Sequence, residues 1–254
     1  MTKFEDNIRE CFEDLQSKCP RKSVCQNACY CRSLSEVLGY HRSVLPKKYV
    51  NLEISDFTGK VEGKQMVPLA SVRSAVSSFM MYCFNDDTLT RNTLRSKLNT
   101  MSVMDRRFTD GTSVFVHGAV EMERGVNTHR PLGRSLLAAL VLKEAIWRRM
   151  FKGNRAISYR FISIHDLIGE VFDRDKPDSS WLTDWLVVDD IELDEKKPIA
   201  NVLDQVVSRR RGLNLPTILV LQFDAESVDL QRAIGPMAAK LYFDTDTSHQ
   251  MRLG

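Results

Sequence analysis

The chain has 254 residues, 43% of them hydrophobic and 27% charged, enough for one or two domains with real cores. Its 12 glycines and 8 prolines exclude collagen-like and low-complexity classes, and a net charge of +3 permits nucleic-acid contact through local patches without demanding it. No stretch reaches the roughly 18 apolar residues of a membrane span: the longest approach, residues 136–147, is broken by Lys143 and Glu144. The opening Met1-Thr-Lys-Phe-Glu-Asp is too polar for a secretory signal. These features predict a soluble, cytoplasmic protein with no membrane partner.

Residues 3–17 have the spacing of a short amphipathic helix (Ile8, Phe12, Leu15) that carries Cys11. Five of the six cysteines fall in the first 31 residues, and the tight set is Cys19, Cys25, Cys29 and Cys31. Outside a secreted framework, four thiolates at such density point first to a tetrahedral zinc site. The spacing lacks the usual C-x2-C pairs, so free or redox-active thiols and an iron–sulfur cluster remain open. A polar connector runs from Arg32 to about Gly63. Within it, residues 45–57 have no helical period and predict an extended segment laid on something else. Residues 67–82 predict a helix with Pro68 in its first turn. Residues 85–107 are polar and basic: Arg91, Arg95, Lys97, Arg106 and Arg107 are either single-stranded DNA phosphate contacts or a solvated face. Cys83 ends the apolar helix and reads as core.

From Asp110-Gly111 onward, strands of continuous apolar residues alternate with amphipathic helices. Strands are predicted at 113–117, 157–162, 185–188 and 216–221, and helices at 136–150, 164–172 and 198–211, the last stopped by Gly212. A last helix at 228–239 and a short strand at 240–243 complete the series. This is the pattern of an α/β fold with a parallel sheet covered on both faces. His117, His165, Trp147, Trp181 and Trp185 lie in or beside apolar runs and read as core. Arg209, Arg210 and Arg211 are either a nucleotide- or subunit-facing cluster or a solvated helix end.

In such sheets ligands bind beyond the carboxyl ends of the strands. After the first strand come Gly118, a long loop, and Gly133-Arg134-Ser135 opening a helix. Asp189 and Asp190 follow the third strand, and Gln222, Phe223 and Asp224 the fourth. That is the layout of a P-loop site, in which loop amides and a helix N-terminus hold phosphates, a basic residue reaches them, a hydroxyl binds Mg²⁺ and a strand-end acid holds its water shell. The spacing departs from G-x-x-x-x-G-K-[ST]. Fourteen residues separate Gly118 from Gly133, Thr128 stands where the first glycine should be, and Arg134 takes the lysine position. The insert 119–132 carries Glu121, Glu123, Arg124, His129 and Arg130, which are ill suited to cradling phosphate. Ser135 either binds Mg²⁺ or caps the helix, and Arg134 either contacts phosphate or pairs with an acid or solvent.

Read in order, the segments resemble the DnaC/DnaI/IstB-type AAA+ family of helicase loaders and transposition helpers. The resemblance is carried by Cys29-Tyr-Cys31-Arg32 with Leu45-Pro46-Lys47-Lys48-Tyr49 and Asp56-Phe57, then by Asp110-Gly-Thr-Ser-Val-Phe-Val-His-Gly118 and by the helix from Gly133 to Ala145. It continues in Tyr159-Arg-Phe-Ile-Ser-Ile-His-Asp-Leu-Ile168, in Trp185-Leu-Val-Val-Asp-Asp-Ile191 as Walker B, and in Val202 to Arg210 with Pro216-Thr-Ile218. It implies an AAA+-type P-loop domain at 64–254, a parallel sheet flanked by helices, preceded by a small cysteine-rich, zinc-binding head and linker at 1–63.

On that resemblance, Gly118, Gly133, Arg134, Ser135 and Leu136 are the cofactor-binding candidates for ATP with Mg²⁺. Asp189, Asp190 and Gln222 are the catalytic ones. Three parts depart from the family: Arg134 for the P-loop lysine, Gln222 for the sensor asparagine, and Lys240 with no arginine in the helix after Gly235. Each such change weakens hydrolysis. The implied function is a helicase-loader-like protein in an oligomer or hetero-oligomer, with weak or absent ATP hydrolysis. Its partners would be a replicative helicase or partner AAA+ subunit and single-stranded DNA. The alternatives are a transposition or phage-encoded adaptor that keeps the fold for protein contacts, and an active DNA-dependent ATPase using Arg134.

Overall fold

A computed structural model describes residues 13, 17, 39, 42–50, 52, 61–62, 88–90, 92–93, 112–118, 122–123, 126–127, 133–152, 158–173, 175, 180–194 and 198–253; at 61–62, 122–123, 126–127 and 144–152 it describes the backbone alone. All six cysteines, the helix expected at 67–82 and the basic residues Arg91, Arg95, Lys97, Arg106 and Arg107 lie outside those residues. The chain divides into two compact units. The first comprises Met1–Asp56, Val67–Met104 and Lys143–Arg155, and the second Phe57–Met66, Asp105–Leu142 and Ala156–Gly254.

In the first unit, residues 45–57 are not extended throughout. Lys47–Val50 forms one helical turn, α1, started by Pro46, whose carbonyl accepts from Tyr49 N at 2.8 Å. Proline is pre-organised for a helix start. The buried Lys143 ammonium donates to the carbonyls of Val50 (2.9 Å) and Leu52 (2.5 Å), acceptors that the end of this turn leaves over.

The second unit holds the sheet. Its strands are β1 (Val61–Glu62), β2 (Ser113–Gly118), β5 (Tyr159–Ser163), β6 (Trp185–Ile191), β7 (Thr217–Leu221) and β8 (Ser248–Leu253), in spatial order β1-β8-β2-β7-β6-β5. All neighbours are parallel except the antiparallel β1–β8 edge, so five strands form a parallel sheet. Part of the long insert folds as an antiparallel pair, β3 (Met122–Glu123) and β4 (Val126–Asn127).

The chain leaves β2 for the far edge at β5, steps back through β6 and β7, and crosses β2 to end at β8. β2 is therefore the switch point, and β7 separates it from β6. Helix α2 (Arg134–Lys152) follows β2, α3 (Ile164–Phe172) follows β5, and α4 (Ile199–Gly212) follows β6. One face of the sheet (Phe115, Ile162, Leu186, Val188, Leu219, Leu221) packs on buried residues of α3, α4 and the C-terminal helices. On the other face Val114, Val116, Val187, Ile218 and Val220 are fully buried too, as are Leu137–Ala139 of α2. Burial of both faces is why these strands read as unbroken apolar runs.

The C-terminal reading needs correction. The helix expected at 228–239 is two helices, α5 (Leu230–Ile234) and α6 (Pro236–Phe243), parted at Gly235 with φ 88°. A Cβ on Gly235 would lie 2.6 Å from the Ala200 carbonyl oxygen, so glycine is required by space as well as by dihedral. Pro236 then restarts the helix, and Asp204 Oδ1 of α4 accepts from Met237 N at 2.6 Å. Residues 240–243, expected as a strand, are the last turn of α6. The closing strand is instead β8, whose polar sequence Ser-His-Gln-Met-Arg-Leu hides its buried positions Ser248, Met251 and Leu253.

Arg210 is fully buried and belongs to the core rather than to a surface cluster. Its guanidinium donates to Thr217 Oγ1 (2.8 Å) and to the carbonyls of Trp181 (2.6 Å), Thr183 (2.8 Å) and Pro216 (2.6 Å). It thereby pins the approach to β6 and the start of β7 to α4. Burial lowers its pKa to about 10, opposed by the charge of Asp184, so it stays cationic at neutral pH. Arg211 pairs with Asp244 at 2.8 Å, and Arg209 is exposed. Arg210→Met keeps the bulk but leaves three buried carbonyls without this donor. It should destabilise the chain by about 3–5 kcal/mol, the range for breaking a buried charged network, read as a lower urea midpoint at unchanged slope. A loss below 1 kcal/mol would show that Arg210 does not hold these strands.

Candidate functional site

Alternation along a strand sends successive side chains to opposite faces. At the carboxyl ends of β2, β6 and β7 this builds one constellation on each face.

The first constellation meets the N-terminus of α2. Gly133 has φ 73°, a left-handed turn suited to glycine, and its carbonyl accepts the opening helical bond from Leu137 N at 2.7 Å. Ser135 Oγ donates to Asp189 Oδ1 at 2.8 Å. Arg134 is 6% exposed, and its Nη1 donates to the Gly118 carbonyl at 2.9 Å. Its Nε has no hydrogen-bond partner. Burial lowers the Arg134 pKa, and the charge of Asp224 works against that shift. A guanidinium nonetheless keeps its proton near neutrality.

Gly118 is where the pieces converge. It pairs with Leu253 of β8, and a Cβ there would fall 2.0 Å from the Leu253 carbonyl oxygen. Its amide donates to the Phe223 carbonyl at 3.4 Å.

Asp189 and Asp190 lie inside β6, which runs three residues further than the apolar run 185–188 predicts. The β6–β7 register shifts between Val188 and Ile191, and Asp190 has φ 59°. Aspartate tolerates that conformation better than most residues. Asp189 is buried on the α2 side and Asp190 is exposed. Gln222 follows β7 and is half-buried, its backbone N–H donating to the Ile191 carbonyl at 2.8 Å. Leu136 is half-buried in the first turn of α2. The structure thus gathers Gly118, Arg134, Ser135 and Asp189 directly, with Gly133 shaping the turn and Asp190 and Gln222 at neighbouring strand ends. Cys19, Cys25, Cys29 and Cys31 fall outside the described residues.

The second constellation centres on His117, 1% exposed, as its core reading requires. Its Nδ1 lies 3.3 Å from Asp224 Oδ1 and 3.4 Å from Ala225 N, and its Nε2 lies 3.1 Å from the Tyr242 hydroxyl. Nδ1 cannot serve both partners. The bond to a carboxylate is the stronger, so Nδ1 carries the proton and Nε2 accepts from Tyr242. Burial, with the acidic neighbours, raises the tyrosine pKa to about 12 and keeps it a donor. Arg252 of β8 donates to Asp224 Oδ2 at 2.8 Å and pairs with Glu226 at 3.2 Å. Asp224 is drawn up by burial, but the Arg252 bond, the Glu226 amide and the charge of Arg252 hold it below the usual carboxylate range. His165, by contrast, is exposed on α3 rather than core.

Sequence reasoning located Asp224 at its strand end but gave it no partners. Arg252 was hidden in a strand too polar to be read. Tyr242 sat in a segment assigned to the wrong element.

His117 makes stability depend on pH. Burial lowers its pKa below the ordinary value of 6.5, against Asp224 and Glu226, which raise it. As pH falls the unfolded chain takes up that proton first. The stability of the neutral buried ring is therefore whole above pH about 6.5 and is lost as pH falls towards the depressed folded value. The urea midpoint should fall between pH 7.5 and 5.5, and His117→Gln should flatten that dependence. An equal slope in the variant would remove His117 as the cause.

No family model and no curated protein sequence matches this chain. Among solved structures, the chain is similar to the crystal structure of DnaI, at 13% identity and a TM-score of 0.46, covering 85% of this chain and 97% of that one. It is also similar to a protein assigned as a primosome component of Streptococcus pyogenes serotype M3, at 13% identity and a TM-score of 0.43, covering 83% and 90%.

Proposed function

We propose that this chain is a helicase-loader-like AAA+ protein whose second unit binds a nucleoside triphosphate with Mg²⁺ and hydrolyses it weakly or not at all. The observation that carries the reading is Arg134: a buried guanidinium at the N-terminus of a 19-residue helix, bonded to the neutral Gly118 carbonyl, with Nε unsatisfied. A buried cation bonded only to a neutral carbonyl, with the Asp224 charge near but not hydrogen-bonded to it, is incompletely compensated, and a second anion is the partner that completes it. Helix amides and dipole favour the same charge.

The residues present fit the group. Arg134 and the first-turn amides of α2 would hold phosphate oxygens. Ser135 and Asp189, already 2.8 Å apart, would supply oxygen ligands to Mg²⁺ or its water shell. Bound Mg²⁺ would neutralise phosphate charge. Asp190 and Gln222 stand at the strand ends where an attacking water would be oriented. Weak hydrolysis follows from the parts that differ. A planar fork replaces the compact ammonium, and Gln222 replaces a shorter amide.

The wider reading rests on the order of motifs along the chain. The cysteine-rich segment at 1–63 would be a zinc-holding head that docks on a replicative helicase or partner AAA+ subunit. The basic residues at 91–107 would meet single-stranded DNA. No helix among the described residues is long and apolar enough to cross a membrane.

The test is titration of the full chain with a fluorescent ATP analogue and Mg²⁺. Wild type should bind, and Asp189→Asn should weaken the Mg²⁺-dependent part by about tenfold or more, the cost of a lost charged ligand of about 1.5–3 kcal/mol. No binding at millimolar analogue would refute the nucleotide site.

A further inference from the structure

The two constellations described at the strand ends share one region: His117 and Gly118 are consecutive, and Phe223 and Asp224 are consecutive. The Gly118 carbonyl holds Arg134, while the Gly118 amide is bonded to the Phe223 carbonyl. Arg252 stands beside His117 in the β2–β8 register, and both reach the Asp224 carboxylate. An acid and a second arginine are therefore built against the strand end whose carbonyl holds Arg134.

We propose that Asp224 and Arg252 form a charge pair that sets how strongly the Arg134 site takes an anion. Asp224 is the counter-charge of Arg134 and opposes incoming phosphate. Arg252 offsets Asp224 and so favours it. This rests on the nucleotide reading of the Arg134 site.

Three observations support it. Asp224 is 13% exposed, so solvent screens its charge poorly. Its field stabilises the Arg134 cation against burial. Its two oxygens are fixed by His117, the Glu226 amide and Arg252, so the charge cannot swing away. The other titratable groups facing this cluster are Tyr242 from α6, which stays neutral, and the half-exposed Glu226, which shares Arg252.

A charge pair gives opposite signs where a structural role gives one. With the full chain, Mg²⁺ and the fluorescent ATP analogue at low salt, Asp224→Asn should bind about tenfold more tightly. Arg252→Gln should bind about tenfold more weakly, the order expected of one unit charge acting through an effective dielectric of about 20. Asp224→Glu, which keeps the charge, should not show the tightening of Asp224→Asn. Rising ionic strength should narrow the gap between Arg252→Gln and wild type. If Asp224→Asn does not fold, that salt dependence decides alone, since a gap unchanged by salt overturns the proposal. It is also overturned if Asp224→Asn binds no more tightly than wild type. Arg134→Gln separates the two levels. If it weakens binding while Asp224→Asn fails to tighten it, the charge pair is wrong and the nucleotide site stands. If it leaves binding unchanged, or wild type binds nothing, the site reading falls and the charge pair with it.

Discussion

Gly118 has no room for a side chain, and both strand-end constellations depend on that. β8 runs so close that a Cβ would sit 2.0 Å from the Leu253 carbonyl oxygen. The close pairing keeps the end of β8 in register with β2, which sets Arg252 beside His117. With no side chain at 118, the carbonyl is reachable by a guanidinium from the next helix, and Arg134 takes it. A single absent methyl group thus fixes the position of two arginines from distant parts of the sequence.

The alternation of strand side chains then divides the chemistry. Asp189 faces the side on which Ser135 of α2 lies, with Val187 of the same strand. His117 faces the other side with Phe115, and both rings stack edge-on against Tyr242 of α6, at centroid distances of 5.2 Å for Phe115 and 5.5 Å for His117. On one face the neutral His117 and Tyr242 are bonded to each other and Asp224 is paired with Arg252, while on the other a buried cation keeps an unsatisfied nitrogen. The distinction explains why the buried histidine reads as structure and the buried arginine as a binding group. Arg210 sharpens it. It is buried as deeply as Arg134, but its guanidinium donates to four acceptors. Burial alone marks neither for function; what separates them is what each nitrogen touches.

How much of this the sequence carried depended on local signals. The apolar runs 113–117, 185–188 and 216–221 mark β2, β6 and β7 because burial on both faces leaves no polar alternation, and α3 spans the residues 164–172 that its apolar period predicts. β8 escaped because it lies next to the sheet's edge and buries only Ser248, Met251 and Leu253 among polar neighbours, without a regular alternation. The break at Gly235-Pro236 was visible as two residues, but its need came from Ala200 in another helix. The candidate site was legible as an order of strand ends, since Gly133, Ser135 and Asp189 follow rules tied to single elements. The bond from Arg134 to Gly118 spans 16 residues and the Arg252–Asp224 pair 28, and no local pattern reports such distances.

In the proposed reading, binding and turnover draw on different parts of this architecture. Binding needs a cation, free amides and oxygen ligands held before the ligand arrives, and α2 with the end of β6 supplies them from rigid elements. Turnover needs more: groups that strengthen their hold as charge spreads over the transferring phosphoryl oxygens. Arg134 is held through Nη1 by a backbone carbonyl and keeps its unsatisfied Nε for the phosphate, a hold made alike in ground state and transition state, which binds without speeding turnover. Asp190 is held in a left-handed conformation within the register shift of β6, displaced from the alternation that aims Asp189. A site with its binding groups fixed and its reaction groups displaced favours a protein that reports nucleotide through shape and charge over one that consumes it.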